Sequence, residues 1–105
     1  MARKITTDAI NAFMSARTFN RDNTTVAIED GNVKLYLHGH LIARRNVGSN
    51  DLEVTNADYF TATTKERLNG LPGVQVNQRK GVWYLNGCAW DGSWTNPDNH
   101  NFYGK

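Results

Sequence analysis

Apolar and polar positions recur along this chain with two different periods, and each change of period marks an element. Over residues 6–19 the apolar Ile10, Phe13 and Met14 fall at helical spacing, flanked by Ala9 and Arg17, which predicts an amphipathic helix. Thr6 or Thr7 offers a hydroxyl for its N-cap, and Asp8 puts a carboxylate in the first turn, where the helix dipole favours negative charge. The polar run at 20–24 stops the helix, and period two takes over. Residues 25–28 read as a strand and Asp30-Gly31 as a hairpin turn. Over 33–37, Val33, Leu35 and Leu37 share one face while Lys34, Tyr36 and His38 share the other. A turn at Gly39 leads to a third strand at 41–43, which ends in Arg44-Arg45, and 52–55 makes a fourth.

The second half repeats that order. Thr63-Thr64-Lys65-Glu66 fits a capping box with Thr63 as the cap and Glu66 reaching back. A short helix runs through Leu68 and Leu71 and is closed by Gly70, Pro72 and Gly73. Strands at 74–77 and 82–85 flank a turn at 78–81, and Asn86-Gly87 starts the next turn. An offset of 48 residues aligns Val26 with Val74, Ile28 with Val76, Leu35 with Trp83, Tyr36 with Tyr84, Leu37 with Leu85 and Gly39 with Gly87, without a gap. This reads either as an internal duplication, with pseudo-repeats at about 6–45 and 61–94, or as hairpin chemistry reached twice. The expected fold class is α+β: two helix-plus-β-hairpin units forming a small antiparallel sheet, or two small facing sheets, packed by the N-terminal helix. That helix would cover Val33, Leu35, Leu37, Trp83 and Leu85. One domain spans 1–95, and 96–105 is a polar tail that is ordered only if Phe102 or Tyr103 docks.

Charge narrows the function classes. Twelve basic and ten acidic residues are mixed along the chain for a net +2, which speaks against both a basic nucleic-acid arm and an acidic nucleic-acid mimic. The single cysteine, Cys88, forms no internal disulfide and fits a reducing cytoplasm. No stretch approaches the roughly 20 apolar residues of a membrane span, so no membrane partner is expected.

The polar face of the sheet is the first candidate surface. Tyr36 and Tyr84, with Lys34, His38, Arg44, Arg45, Arg79 and Lys80 around them, resemble the aromatic platforms with flanking cations on which single strands stack. Tyrosines are equally ordinary on strands, and exposed cations protect sheet edges. The second candidate is the aromatic group Trp83, Trp90, Trp94, Phe102 and Tyr103. Trp83 and Trp90 read as core, and Trp94, after Gly92, as a surface anchor of the kind found at binding hot spots. His38, His40, Cys88 and His100 are the soft metal ligands, but they lack the paired spacings of a structural zinc site. No phosphate loop or nucleophile elbow is present, so neither an enzyme nor a cofactor is expected.

Three strings, Leu35-Tyr36-Leu37-His38-Gly39 with Leu41-Ile42-Ala43, then 63–69, then 81–87, resemble a family of small uncharacterised proteins encoded by tailed bacteriophages. The likeness covers roughly 13–94 and departs from the family pattern at Tyr59 and Cys88. It implies a context: small phage proteins without catalytic motifs often bind host or defence components, as anti-CRISPR proteins do. The expectation is therefore a non-enzymatic accessory protein that binds and modulates a host or anti-phage defence protein in the cytoplasm of the infected or lysogenic cell. The alternative is a single-stranded nucleic-acid binder, and an uncovered edge strand would allow a homodimer.

Overall fold

A computed structural model describes residues 4–59 and 61–99. Helix α1 spans Lys4–Met14, and a five-stranded sheet follows: β1 Phe19–Arg21, β2 Thr24–Glu29, β3 Asn32–Leu37, β4 His40–Asn46 and β5 Leu52–Val54. Helix α2 spans Ala62–Asn69 and precedes a three-stranded sheet of β6 Val76–Arg79, β7 Val82–Leu85 and β8 Cys88–Ala89; a single 3-10 turn at Pro97–Asn99 comes last. Both sheets are antiparallel meanders in chain order. The α+β class therefore holds, with two separate sheets in place of one.

Turn chemistry explains the meanders. Asp30-Gly31, His38-Gly39, Lys80-Gly81 and Asn86-Gly87 each place two consecutive residues at positive φ. That backbone matches the right-handed twist of paired strands, and glycine at the second position carries no steric penalty for it. His38 and Lys80 hold the first position of such turns without being glycine, at φ of 53° and 52°.

The two longer hairpins correspond, but not at one offset. In the second strands Leu37 matches Leu85 at an offset of 48. In the first strands Thr24, opposite Leu37, matches Val76, opposite Leu85, at an offset of 52. The amide of His38 donates to the Asn23 carbonyl and that of Asn86 to the Gln75 carbonyl, each at 2.7 Å, which keeps the same correspondence. The β6–β7 hairpin is two residues shorter in each strand. The gapless match of Val26 to Val74 is thus a correction, because Val74 lies before β6 and Gln78 takes the place of Val26.

Between β3 and β4 a bulge interrupts the register at Leu35/Tyr36. It lets Ile42 and Ala43 both face the core and turns Leu41 to the other side. From Ala43 on, alternation resumes: Arg44 outward, Arg45 inward.

One core joins all layers, built from Ile10 and Phe13 of α1, Val26, Val33, Leu35 and Ile42 of the large sheet, Leu68 of α2, and Val76, Trp83 and Leu85 of the small sheet. Helix α1 begins earlier than its threonines suggest, so Thr6 lies fully buried inside it, and Asp8 pairs with Lys4 and Arg21 at 3.1 and 2.9 Å. These two cations hold the Asp8 carboxyl below the usual range, the Arg21 hydrogen bond first. The α2 cap is also corrected. Thr61, not Thr63, accepts from the Thr64 amide, and Glu66 turns away to Arg67 and Thr6. Gly70 ends α2 against α1, where a Cβ would sit 2.7 Å from Thr6 Cγ2 and 2.9 Å from Ile10 Cγ1.

At the hub of this packing is Arg67, with no exposed surface. Its guanidinium donates to Thr6 Oγ1 at 2.7 Å, Thr24 Oγ1 at 3.0 Å, Asn23 Oδ1 at 3.3 Å and the Glu66 carboxylate. A buried cation is tolerated only with this degree of pairing, so the hub ties α1, α2 and β2 into one arrangement.

Candidate functional site

The outer face of the five-stranded sheet is where polar side chains, strand register and one exposed tryptophan converge. Register places Ala27, Lys34, Arg44 and Glu53 in one row across β2, β3, β4 and β5. Lys34 and Arg44 are therefore direct neighbours of like charge, an arrangement that costs stability unless carboxylates flank it. They do: Lys34 Nζ lies 3.4 Å from Glu29 Oε1, and the Arg44 guanidinium meets Glu53 Oε1 through Nε at 2.9 Å and Nη2 at 2.8 Å. Tyr36 reaches diagonally and donates its hydroxyl to Glu29 Oε1 at 2.9 Å. That bond, with Lys34 behind it, holds the Glu29 carboxyl below the ordinary glutamate range. Partial burial and the same carboxylate push the Tyr36 hydroxyl up.

Trp94 completes the face. The strand-like bridge of Thr95 to Val54, with both backbone bonds formed at 2.9 and 3.0 Å, runs the chain beside β5. This sets the Trp94 ring 4.1 Å from the Arg44 guanidinium carbon and leaves the indole 37% exposed. Behind it, the buried Trp90 donates its indole N–H to Ser93 O and Thr95 Oγ1, both at 3.0 Å, which fixes the segment. Gly92 is held closer still. Its carbonyl accepts from the Asn56 amide at 3.1 Å and from the Thr55 hydroxyl, and a Cβ there would lie 2.3 Å from the Asn56 side chain.

The remaining sequence candidates separate. Arg45 leaves the outer face altogether: it is buried on the inner side and donates to the Phe13 and Met14 carbonyls at 2.8 and 3.2 Å, capping the end of α1, and to Asn50 Oδ1 at 2.8 Å. Tyr84 lies on the three-stranded sheet, not beside Tyr36, with Arg79 5.7 Å from its ring centroid. Lys80 is exposed in the adjoining turn. Trp83 and Trp90 are core residues. Phe102, Tyr103 and His100 lie outside the described residues.

His38 and His40 frame a cleft between the β3–β4 turn and the start of α2. Cys88 is on the other sheet, and among the described residues no three His, Cys, Asp or Glu side chains gather as for a metal ion. Two features were missed by sequence reasoning. The buried Arg67 hub carried no signal, since Arg67 is one of three consecutive charged residues in a polar helix, and the Tyr59 contact to His40, with ring centroids 4.4 Å apart, joins segments 19 residues apart through the bulged strand and its exit.

No helix among the described residues is long and apolar enough to cross a membrane. No curated protein and no solved structure matches the chain. The family model described as Kyanoviridae Gp96 protein matches residues 2–104, and the chain belongs to that phage family.

Proposed function

We propose that the chain is a non-enzymatic phage accessory protein that binds and modulates a host or anti-phage defence protein through the outer face of the five-stranded sheet. The supporting observation is the Glu53–Arg44–Trp94 stack. Arg44 is fixed by two bonds to Glu53 and carries the half-exposed indole 4.1 Å above it. An aromatic ring and a guanidinium held together before binding have the composition of an interface hot spot, and their fixed geometry reduces the entropy lost on docking. The neighbouring cations favour a protein target over phosphate: Lys34 and Arg44 are already matched to Glu29 and Glu53. The action is placed in the cytoplasm of the infected bacterial cell, and the two hairpins, sharing turn registers but not strand length, are read as copies of one duplicated unit.

Affinity capture from infected cells with the wild-type chain tests this. A stoichiometric protein partner that is lost with Trp94→Ala is the expected result, and capture of none sinks the proposal. A second reading, single-strand binding, draws on the small sheet, where Arg79 lies 5.7 Å from the Tyr84 ring, Lys80 is exposed in the adjoining turn, and neither makes a carboxylate pair among the described residues. A labelled single strand at low salt, where phosphate contacts are strongest, decides it: no shift removes that reading.

A further inference from the structure

The cleft framed by His38 and His40 has a composition unlike the outer face. Its volume is about 280 Å³, and Leu37 and Ile42 form an apolar floor. His40, Tyr59, Thr61, Thr63 and Thr64 supply the walls, and among the described residues no Lys, Arg, Asp or Glu lines it. We propose that this cleft binds the uncharged heteroaromatic ring of a nucleobase-type ligand, a site separate from the Trp94 surface.

Three observations lead to that class. The size suits a single ring system more than an extended chain, since sites for larger ligands run to roughly 300–1,000 Å³. Among the described residues a phosphate or carboxylate would meet no Lys or Arg in the lining, only the two imidazoles, and a cation would meet no carboxylate. The polar groups left over are a mixture of donors and acceptors, as along the edge of a base. Thr61 Oγ1 accepts from the Thr64 amide at 3.2 Å and lies 3.0 Å from Thr64 Oγ1; Thr64 is fully buried, so of this pair the exposed Thr61 hydroxyl is the one that can also face a ligand. Thr63 Oγ1 has no partner among the described residues. His40 contacts Tyr59 through its ring, and among the described residues neither imidazole nitrogen has a hydrogen-bond partner, so one can donate and one accept in the neutral form.

His38 is oriented from behind. Asn23 Oδ1 already accepts from Thr24 Oγ1 at 2.8 Å and from Arg67 at 3.3 Å, so its amide nitrogen faces His38 Nε2, 3.4 Å away. This pairing assigns Nε2 as the acceptor and puts the hydrogen of the neutral ring on Nδ1. The rim of the cleft is thereby held by the same buried network that centres on Arg67.

The test is titration of the full chain with adenosine, guanosine, cytidine and uridine at about pH 8, above the ordinary imidazole range, followed by amide NMR. The expected result is a saturable shift for at least one nucleoside, centred on His40, Tyr59 and Thr63, with its 5′-monophosphate binding no tighter. Thr63→Val, which keeps the shape and removes the hydroxyl, should weaken binding about 3- to 10-fold, the worth of one hydrogen bond. His40→Leu, at an exposed strand end, is the second variant should Thr63→Val disturb α2. Absence of saturable shifts with all four nucleosides overturns the proposal. So does a monophosphate bound more than about 10-fold tighter, which would mark an anion site, or unchanged affinity in both folded variants.

Discussion

Two neighbouring arginines on β4 show what separates the inside of this protein from its outside. Arg45 points inward, is 7% exposed and gives its hydrogens to the last carbonyls of α1. Arg44 points outward, bonds Glu53 and supports Trp94. Arg67 extends the inner pattern, with hydroxyls, an amide and one carboxylate around a fully buried cation. Inside, the partners complete a helix end or join elements, so each guanidinium holds the fold. Outside, water screens the Arg44–Glu53 pair, and such a pair contributes at most about 1 kcal/mol. Its value lies in holding one ring in one place.

The sharpest way to break this comparison is at Arg67. Arg67→Met keeps most of the volume but removes the donor to the Thr6 and Thr24 hydroxyls and leaves Asn23 Oδ1 with only Thr24 Oγ1 among the described residues. We expect a loss of about 3 kcal/mol in denaturant unfolding, a large share of the roughly 5–15 kcal/mol of a domain this size. Adding Thr6→Val and Thr24→Val should recover none of it, because the two hydroxyls also donate to Glu66 and Asn23, which would then lose these donors as well as Arg67. A triple variant more stable than Arg67→Met would show that the Thr6 and Thr24 hydroxyls, once deprived of Arg67, carry the cost and their bonds to Glu66 and Asn23 do not offset it. Arg45→Met ranks next, at about 1–2 kcal/mol. The figure stays modest because Arg45 Nε is itself buried without a partner among the described residues, so its removal offsets part of the loss.

How much of this was legible in sequence follows from the range of each interaction. The hairpins were readable because Asp30-Gly31 and Asn86-Gly87 encode their turns within two residues. The inward set Val33, Leu35 and Leu37 followed from period two. The short β1 was missed, since Phe19-Asn20-Arg21 has no apolar repeat and is defined by pairing with 24–26. Arg45 was assigned to the wrong face because a bulge, which no local pattern announces, decides the parity of β4. The α2 cap shifted to Thr61 for a related reason: Glu66 found a better partner in Arg67 and the distant Thr6 than in its own helix end. Of the surface candidates, Trp94 and its exposure were foreseen, but its seat on Arg44 depends on the long-range bridge of Thr95 to Val54.

On the outer face the expected order reverses, with small effects on stability and large ones on binding. Trp94→Ala should change unfolding stability by no more than about 1 kcal/mol, since the ring is half-exposed and the cation-π contact at such a site is worth about that much. The same substitution should abolish partner capture. A Trp94→Ala chain that unfolds as readily as Arg67→Met would place Trp94 with the core and erase the distinction.

The smallest effect tests whether the outer face behaves electrostatically as a surface at all. Glu29 titrates below its ordinary range because Tyr36 and then Lys34 favour its carboxylate, so its contribution is present above the unfolded value and is lost as pH falls through the depressed one. Tyr36 titrates above its ordinary range, from burial first and the Glu29 charge second, so its contribution is present below the unfolded value and is lost as pH rises through the raised one. Tyr36→Phe removes the bond that links them. The Glu29 carboxyl should then titrate nearer the ordinary value in side-chain NMR, and the variant's stability should depend less on pH at both the acid and the alkaline ends. Both changes should shrink further as salt rises, because the Glu29 carboxylate stands in water where counterions screen it. A Glu29 titration unmoved by Tyr36→Phe would assign the depression to Lys34 alone, and one insensitive to salt would mean that this face is shielded from solvent like the Arg67 hub.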